Sequence, residues 1–416
     1  MVKKEILPNG LRVLTEPLEH LRSCAIGIWV QSGSRHEPEA LCGISHYLEH
    51  MLFKGTERRD AGQLAAEFDA IGGQVNAFTT KEHTCFYCRT LDQYLPQAAA
   101  LLADMFFHST FKPEDVDLER GVILEEIGMY EDTPEDLCNE NMFGAIYGGT
   151  ALGRPILGTR DSLKSIDSAA LHAYKNKNYT PENTIISVCG SFSDAQLEQI
   201  KAIFSNMEPG TPPEIVDTDY KPAFVLQAKD TEQNHLQLAW PGLPLGDKRR
   251  FALQAMNNIL GGGMASRLFQ QVRERNGLCY TIYSFQSGYL GTGVFGVYVA
   301  LGRETEDRAI KLIRQVIADF LERGCTQEEL DRTITQLKAN LLMGLEGTTA
   351  RMNGMARNEF LYGRQVEPEE LIAGLEAVTC GDVLQLAREL LRDEALSFSA
   401  VGKVRTEEEY RALLEI

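Results

Sequence analysis

The sequence predicts an α+β protein of two homologous halves, each a mainly antiparallel sheet covered by helices. Three observations point there. Apolar residues at helical spacing alternate along the chain with short strand-like runs. A break rich in proline and acidic residues, Asn206 to Pro222, carries Pro209, Gly210, Pro212, Pro213 and Pro222 and reads as an interdomain linker. It divides the 416 residues into stretches of about 200, an ordinary domain size. The two stretches show the same order of elements, as an internal duplication does. The expected division is a first domain over 1–208, a linker over 209–221 and a second domain over 222–416.

The chain opens with a strand and turn ending at Pro8-Asn9-Gly10, and a strand follows at about Ala25–Gln31. Leu41, Ile44, Leu48, Met51 and Leu52 recur at helical spacing, and Gly55 closes that helix. A second helix starts at Asp60, with Gln63 completing a capping box, and carries Leu64, Phe68 and Ile71. Gly72-Gly73 end it. Strands are expected at Gln74–Thr80 and Thr84–Thr90, helices near Leu95–His108 and Pro113–Tyr130, and a strand at Thr184–Cys189. The second half repeats this order: strand Leu236–Trp240, helix Phe251–Leu260, a Gly261-Gly262-Gly263 turn, helix Ser266–Arg275, strands, and helices near Asp307–Arg323 and Gln327–Gly344. The triple glycine lacks the Lys-Ser/Thr of a phosphate loop and reads as a turn.

Composition narrows the function. With 44% hydrophobic and 24% charged residues the chain is a globular protein throughout. Its 41 basic and 59 acidic residues give a net charge of −18, a field that repels phosphate backbones and anionic lipid headgroups, so neither nucleic acid nor membrane is an expected partner. No signal peptide or membrane-spanning run is evident, and the nine scattered cysteines suit reduced core thiols, so the expected location is cytoplasmic. Cys85 and Cys88 fall at an odd separation in a strand and should face opposite sides.

Chemistry concentrates in His46-Tyr47-Leu48-Glu49-His50. Residues four apart differ by about 40° around a helix, so both imidazoles leave one face about 6 Å apart, a spacing that chelates zinc. Glu49, three residues after His46, stands on a neighbouring strip, where it can act on a water at the metal without being a ligand. This is the inverted order of the His-Glu-x-x-His zinc motif. A catalytic zinc takes three protein ligands, and the helix Pro113–Tyr130 offers Glu119, Glu125 and Glu126 for the third. Glu119 and Glu126 lie two turns apart on the face of Val116, Ile123 and Ile127, where a carboxylate needs a partner. Glu125 reads as a surface acid.

These residues, with Glu119-Arg120 and Glu126 76 residues beyond His50, resemble the pitrilysin-type zinc peptidases. Length and two-half layout resemble the mitochondrial-processing-peptidase branch and its bacterial relatives. The resemblance implies that Glu126 is the third zinc ligand, with one zinc per chain, and that Glu119 orients a ligating histidine. It further implies that Phe53 lines the pocket on the leaving side of the scissile bond and that Asn76 starts the edge strand on which substrate lies. Asp136 and Glu140 resemble an acidic pair that receives a basic residue just before the cleavage site.

In the second half Phe251-Ala252-Leu253-Gln254-Ala255 offers no ligand where the first half has its motif, while Arg273 and Tyr280 resemble a pair that contacts substrate. The implied activity is zinc-dependent endopeptidase action on unfolded peptides or presequence-like segments in a clamshell chamber, with Glu49 as the base. The full zinc set suits a homodimer. The alternatives are a subunit of a heterodimeric presequence peptidase and a catalytically silent structural homologue, whose motif would be damaged.

Overall fold

The structure, a computed structural model of the chain, describes residues 2–211, 215–216 and 218–415. Pro212 and Pro213 of the expected linker lie outside the described residues. The strands are β1 (Lys3–Ile6), β2 (Arg12–Pro17), β3 (Ser23–Val30), β4 (Gln74–Thr79), β5 (Thr84–Leu91), β6 (Thr184–Gly190), β7 (Phe224–Ala228), β8 (Asn234–Pro241), β9 (Thr281–Tyr289), β10 (Thr292–Leu301) and β11 (Ser397–Gly402). The helices that matter below are α1 (Ile44–Leu52), α2 (Ala61–Ala70), α3 (Leu95–His108), α4 (Pro113–Asp132), α5 (Pro134–Ile146), α6 (Ser168–Asn178), α7 (Asp194–Phe204), α8 (Arg250–Gly261), α9 (Glu306–Arg323), α10 (Gln327–Gly344) and α11 (Thr348–Tyr362).

One six-stranded sheet runs in the order β1-β2-β6-β3-β5-β4, and a five-stranded sheet in the order β7-β11-β8-β10-β9. In each, one pair is parallel, β2 with β6 and β7 with β11, and the other pairs are antiparallel. Matched from β2 and β7 onward, the two orders are the same topology written twice, as the repeated element order predicts.

The chain forms two compact units: Met1–Ile127, Arg154–Val216 and Met343–Val366 make the first, and Gly128–Gly153, Asp217–Leu342 and Glu367–Ile416 make the second. They are therefore not the contiguous spans 1–208 and 222–416, because each sheet takes one covering helix from the other half of the sequence. In the first unit Met352, Met355 and Ala356 of α11 pack on Trp29 and Ile185. A Cβ at Gly27 would sit 2.8 Å from Met352 Sδ, so glycine there lets α11 lie directly on β3. In the second unit Met142, Phe143 and Ile146 of α5 pack with Ala239 and Val294. Amphipathic spacing predicts a buried face but not which sheet buries it.

The other face of the first sheet carries the main core, where Ile26, Ile28, Val30 and Phe86 meet Tyr47, Leu48, Met51 and Leu52 of α1 and Leu102, Met105 and Phe106 of α3. The expected capping box closes α2: Asp60 accepts from Gln63 N at 2.8 Å and Gln63 accepts from Asp60 N at 3.0 Å. Cys85 packs on the α11 side and Cys88 in the main core, opposite faces as expected. The helix expected over Ser266–Arg275 is instead a π-helical turn at Phe269–Glu274, in which Arg275 N reaches back five residues to Gln270 O. Among the described residues no helix is long and apolar enough to cross a membrane.

Candidate metal centre

Helix α1 begins at Gly43, whose φ of 95° is a left-handed conformation that glycine adopts at little cost. A Cβ there would also meet Leu157 O at 2.7 Å. Leu41, expected within the helix, belongs to a short turn before it, Glu39–Leu41. The first N–H groups of α1 are received by the carboxylate of Glu37, which accepts from Gly43 N at 2.7 Å and Ser45 N at 2.8 Å. Glu37 is fully buried, and burial pushes its carboxyl up to about 7 against the pull of these two bonds. The Tyr47 hydroxyl donates to Val116 O and so ties α1 to α4, the two helices that supply the site.

His46, Glu49 and His50 leave α1 on the side away from Leu48 and Met51. The two imidazole rings lie 4.5 Å apart between centroids, closer than the expected 6 Å. Glu126 of α4 turns Oε2 toward both, 3.5 Å from His46 Nε2 and 3.7 Å from His50 Nε2. Ligand atoms of these three residues all lie within 4.8 Å of one another. The two contacts of the carboxylate oxygen, at 3.5 and 3.7 Å, are too long for good hydrogen bonds and are close to the separation of about 3.3–3.6 Å between ligands of a tetrahedral zinc with bonds of about 2.0–2.2 Å. Burial lowers the His46 imidazole to about 3, with His50 pushing the same way, so His46 is neutral and offers a lone pair. The donor set and its spacing thus fit zinc.

Glu119 is buried one layer behind. Its Oε1 lies 2.7 Å from His50 Nδ1, and its Oε2 pairs with Lys54 Nζ at 2.6 Å. A proton shared at Nδ1 leaves Nε2 unprotonated and facing Glu126. Glu125, the third acid of this helix segment, is exposed. Glu49 is half-buried beside the cluster, and its Oε2 accepts from Thr79 Oγ1 at 2.5 Å. Burial raises its carboxyl, the Thr79 hydrogen bond and His50 lower it, and Glu126 raises it.

Phe53 caps the end of α1, half-buried against the main core. Asn76 is exposed on β4, the edge strand of the sheet, and its Oδ1 accepts from Ala77 N at 2.8 Å. Asp136 and Glu140 stand one turn apart on α5 in the second unit, with Asp136 exposed; burial and the neighbouring Glu135 raise the Asp136 carboxyl. Arg273, also in the second unit, lays its guanidinium over two rings, Phe269 at 4.6 Å and Tyr280 at 4.8 Å, and Tyr280 is 73% exposed. The structure thus brings His46, Glu49, His50, Glu119 and Glu126 together in the first unit and pairs Arg273 with Tyr280 in the second. Sequence reasoning missed Glu37, Lys54 and Thr79. Only Lys54 left a signal, one turn beyond His50.

Residues 12–160 match the family described as Insulinase (Peptidase family M16), and residues 165–337 match its companion, the Peptidase M16 inactive domain. A Bacillus subtilis protein named Uncharacterized zinc protease YmxG is 40% identical over 95% of this chain and 97% of its own. The chain belongs to peptidase family M16. An uncharacterized zinc protease of Streptomyces coelicolor is 38% identical over 99% of this chain and 91% of its own. Among solved structures, a peptidase M16 inactive domain from Pseudomonas fluorescens superposes with a TM-score of 0.90 at 23% identity, covering 97% of this chain and 99% of its own. A subunit chain of Complex III2 from Candida albicans superposes with a TM-score of 0.86 at 19% identity over all of both chains, a likeness of fold. All five residues of the M16 cluster fall within the first matched region, and the intact cluster disfavours the silent-homologue reading.

Proposed function

We propose that this M16 chain is a zinc-dependent endopeptidase acting on unfolded peptides or presequence-like segments. The observation that carries the reading is the convergence of His46, His50 and Glu126 at zinc-ligand spacing with Glu49 beside them and bound to none of them. His46, His50 and Glu126 would hold one zinc per chain, which supplies a Lewis acid for the peptide carbonyl and lowers the pKa of water at the site. Glu49 takes a proton from the attacking water and returns it to the leaving amine as the C–N bond breaks. Glu119 holds the His50 ring in the tautomer that ligates.

The exposed side of β4 at Asn76 offers backbone groups to an extended peptide, which would add as a further strand. Phe53 would line the pocket on the leaving side, and Asp136 and Glu140 would receive a basic residue before the cleaved bond. Arg273 and Tyr280, held together by their own contact, would donate hydrogen bonds to substrate carbonyls. That role makes closure of two such halves into a chamber part of assembling the site. With a full ligand set in this chain, a homodimer in the cytoplasm is the proposed form. The test is metal content and peptide cleavage by the purified chain alone, beside Glu49→Gln. Stoichiometric zinc, cleavage by wild type and a loss of at least about 10²-fold in the variant are expected. Wild-type turnover in zinc-loaded Glu49→Gln would overturn the mechanism.

A further inference from the structure

A threonine hydroxyl has one proton to donate. Thr79 Oγ1 has two oxygen neighbours, Glu49 Oε2 at 2.5 Å and Thr84 Oγ1 at 3.4 Å. Thr84 donates its own proton to Ser32 O at 2.8 Å, so toward Thr79 it can only accept. The two acceptors therefore compete for one proton, and the shorter bond to a carboxylate prevails. One oxygen of Glu49 is fixed by this bond. The last torsion of a glutamate side chain is otherwise broad, so the hydroxyl sets where the second oxygen points.

The two partners come from different elements. Glu49 stands on α1, whereas Thr79 ends β4, where it pairs with Thr84 of β5. The bond is thus a tie between the helix that carries the metal motif and the edge strand. We infer that Thr79 is a positioning residue for Glu49, aiming the free carboxylate oxygen at the reacting water and coupling it to the strand on which substrate lies. This rests on the reading of Glu49 as the base. If Thr79 only filled the strand, valine, which has the same shape and a high preference for strands, would serve as well. If Thr79 aims a base, valine would not, because valine cannot donate.

The experiment compares Thr79→Val and Thr79→Ser in the full-length zinc-loaded protein, with Glu49→Gln alongside, reading zinc content, kcat and KM. Hydrogen bonds to charged groups are strong enough that losing this one should lower kcat roughly ten- to a hundredfold. Zinc content and KM should stay within about twofold of wild type, and Thr79→Ser should restore most of the rate. If valine impairs folding, Thr79→Ala read against Thr79→Ser supplies the comparison, since those two differ only in the hydroxyl. Wild-type kcat in Thr79→Val, or a serine variant as slow as the valine or alanine one, overturns the inference while leaving Glu49 as base, provided Glu49→Gln is inactive. An active Glu49→Gln overturns both.

Discussion

Nδ1 of His50 lies 2.7 Å from Oε1 of Glu119, a buried carboxylate on the neighbouring helix. On the proposed reading this contact orients an imidazole that would otherwise be free to rotate or take the other tautomer, and Lys54 Nζ lies 2.6 Å from the acid's other oxygen. Glu119→Gln removes that charge and leaves Lys54 facing an amide. Zinc affinity should fall about 10–100-fold with the three ligands in place. Competition against a chelator of known strength measures this, and unchanged affinity would mean that Glu119 is only a packing residue.

Glu126 and Glu125 are neighbours in sequence that point apart. Glu126 Oε2 faces both imidazoles, whereas Glu125 is exposed. Glu126→Gln should therefore weaken zinc binding far more than Glu125→Gln. Equal zinc retention after dialysis of the two variants would show that another group is the third ligand.

Glu37 ties stability to pH. Its carboxyl rises from 4.5 to about 7 on burial, so between these values the folded chain binds more protons than the unfolded one. The contribution of Glu37 to stability therefore falls as pH rises from about 4.5 through 7 and levels off on either side, by roughly 3 kcal/mol in all. Glu37→Gln cannot titrate, so the stability gap between wild type and variant should narrow by that amount over the same window. Denaturant unfolding at several pH values reads it, and a gap that stays constant would refute the linkage.

What the sequence disclosed and what it hid divide along physical lines. The ends of α2, the run of α3 and the opposite facing of Cys85 and Cys88 follow from local caps and periods. His46, Glu49 and His50 were legible because one helix carries all three within a turn and a half. Glu126 was not separable from Glu119 by pattern alone, since both lie on one face; family spacing chose between them, and Glu126 is the one whose Oε2 faces both imidazoles. Lys54 left only its place one turn beyond His50, whereas Thr79 and Glu37 were hidden because each meets its partner through space, from another strand or loop. The exchange of α5 and α11 was hidden for the same reason. The π-helical turn at Phe269–Glu274 looks like an ordinary helix in sequence, and it holds the side chain of Arg273 over the rings of Phe269 and Tyr280.

Asp136 and Glu140 share one side of α5, a turn apart. If they receive a basic residue, peptides with arginine before the cleaved bond should be preferred, and the double variant Asp136→Asn, Glu140→Gln should lose the preference mainly through KM. Salt should erode it as well. Matched arginine and glutamine peptides provide the measurement. Equal efficiencies with wild type would reduce the pair to a solvated surface.

The position of α11 makes a prediction about where the chain can be cut. A fragment of residues 1–208 contains every proposed zinc ligand, yet it lacks the helix that covers Leu14, Trp29 and Ile185, which are at most 1% exposed in the whole chain. Uncovering side chains of this size costs about 1.5–3 kcal/mol each, and three of them approach the entire stability of a typical domain. The fragment also keeps α5, whose Met142, Phe143 and Ile146 pack with Ala239 and Val294, which lie beyond 208 in the second unit. It should therefore aggregate or bind a hydrophobic dye strongly, and retain little zinc. A rebuilt fragment that omits 128–153 and carries 343–366 on a flexible linker should regain cooperative unfolding and zinc binding. Cooperative unfolding of residues 1–208 alone, with zinc affinity equal to that of the whole chain, would show that α11 is dispensable to the first unit.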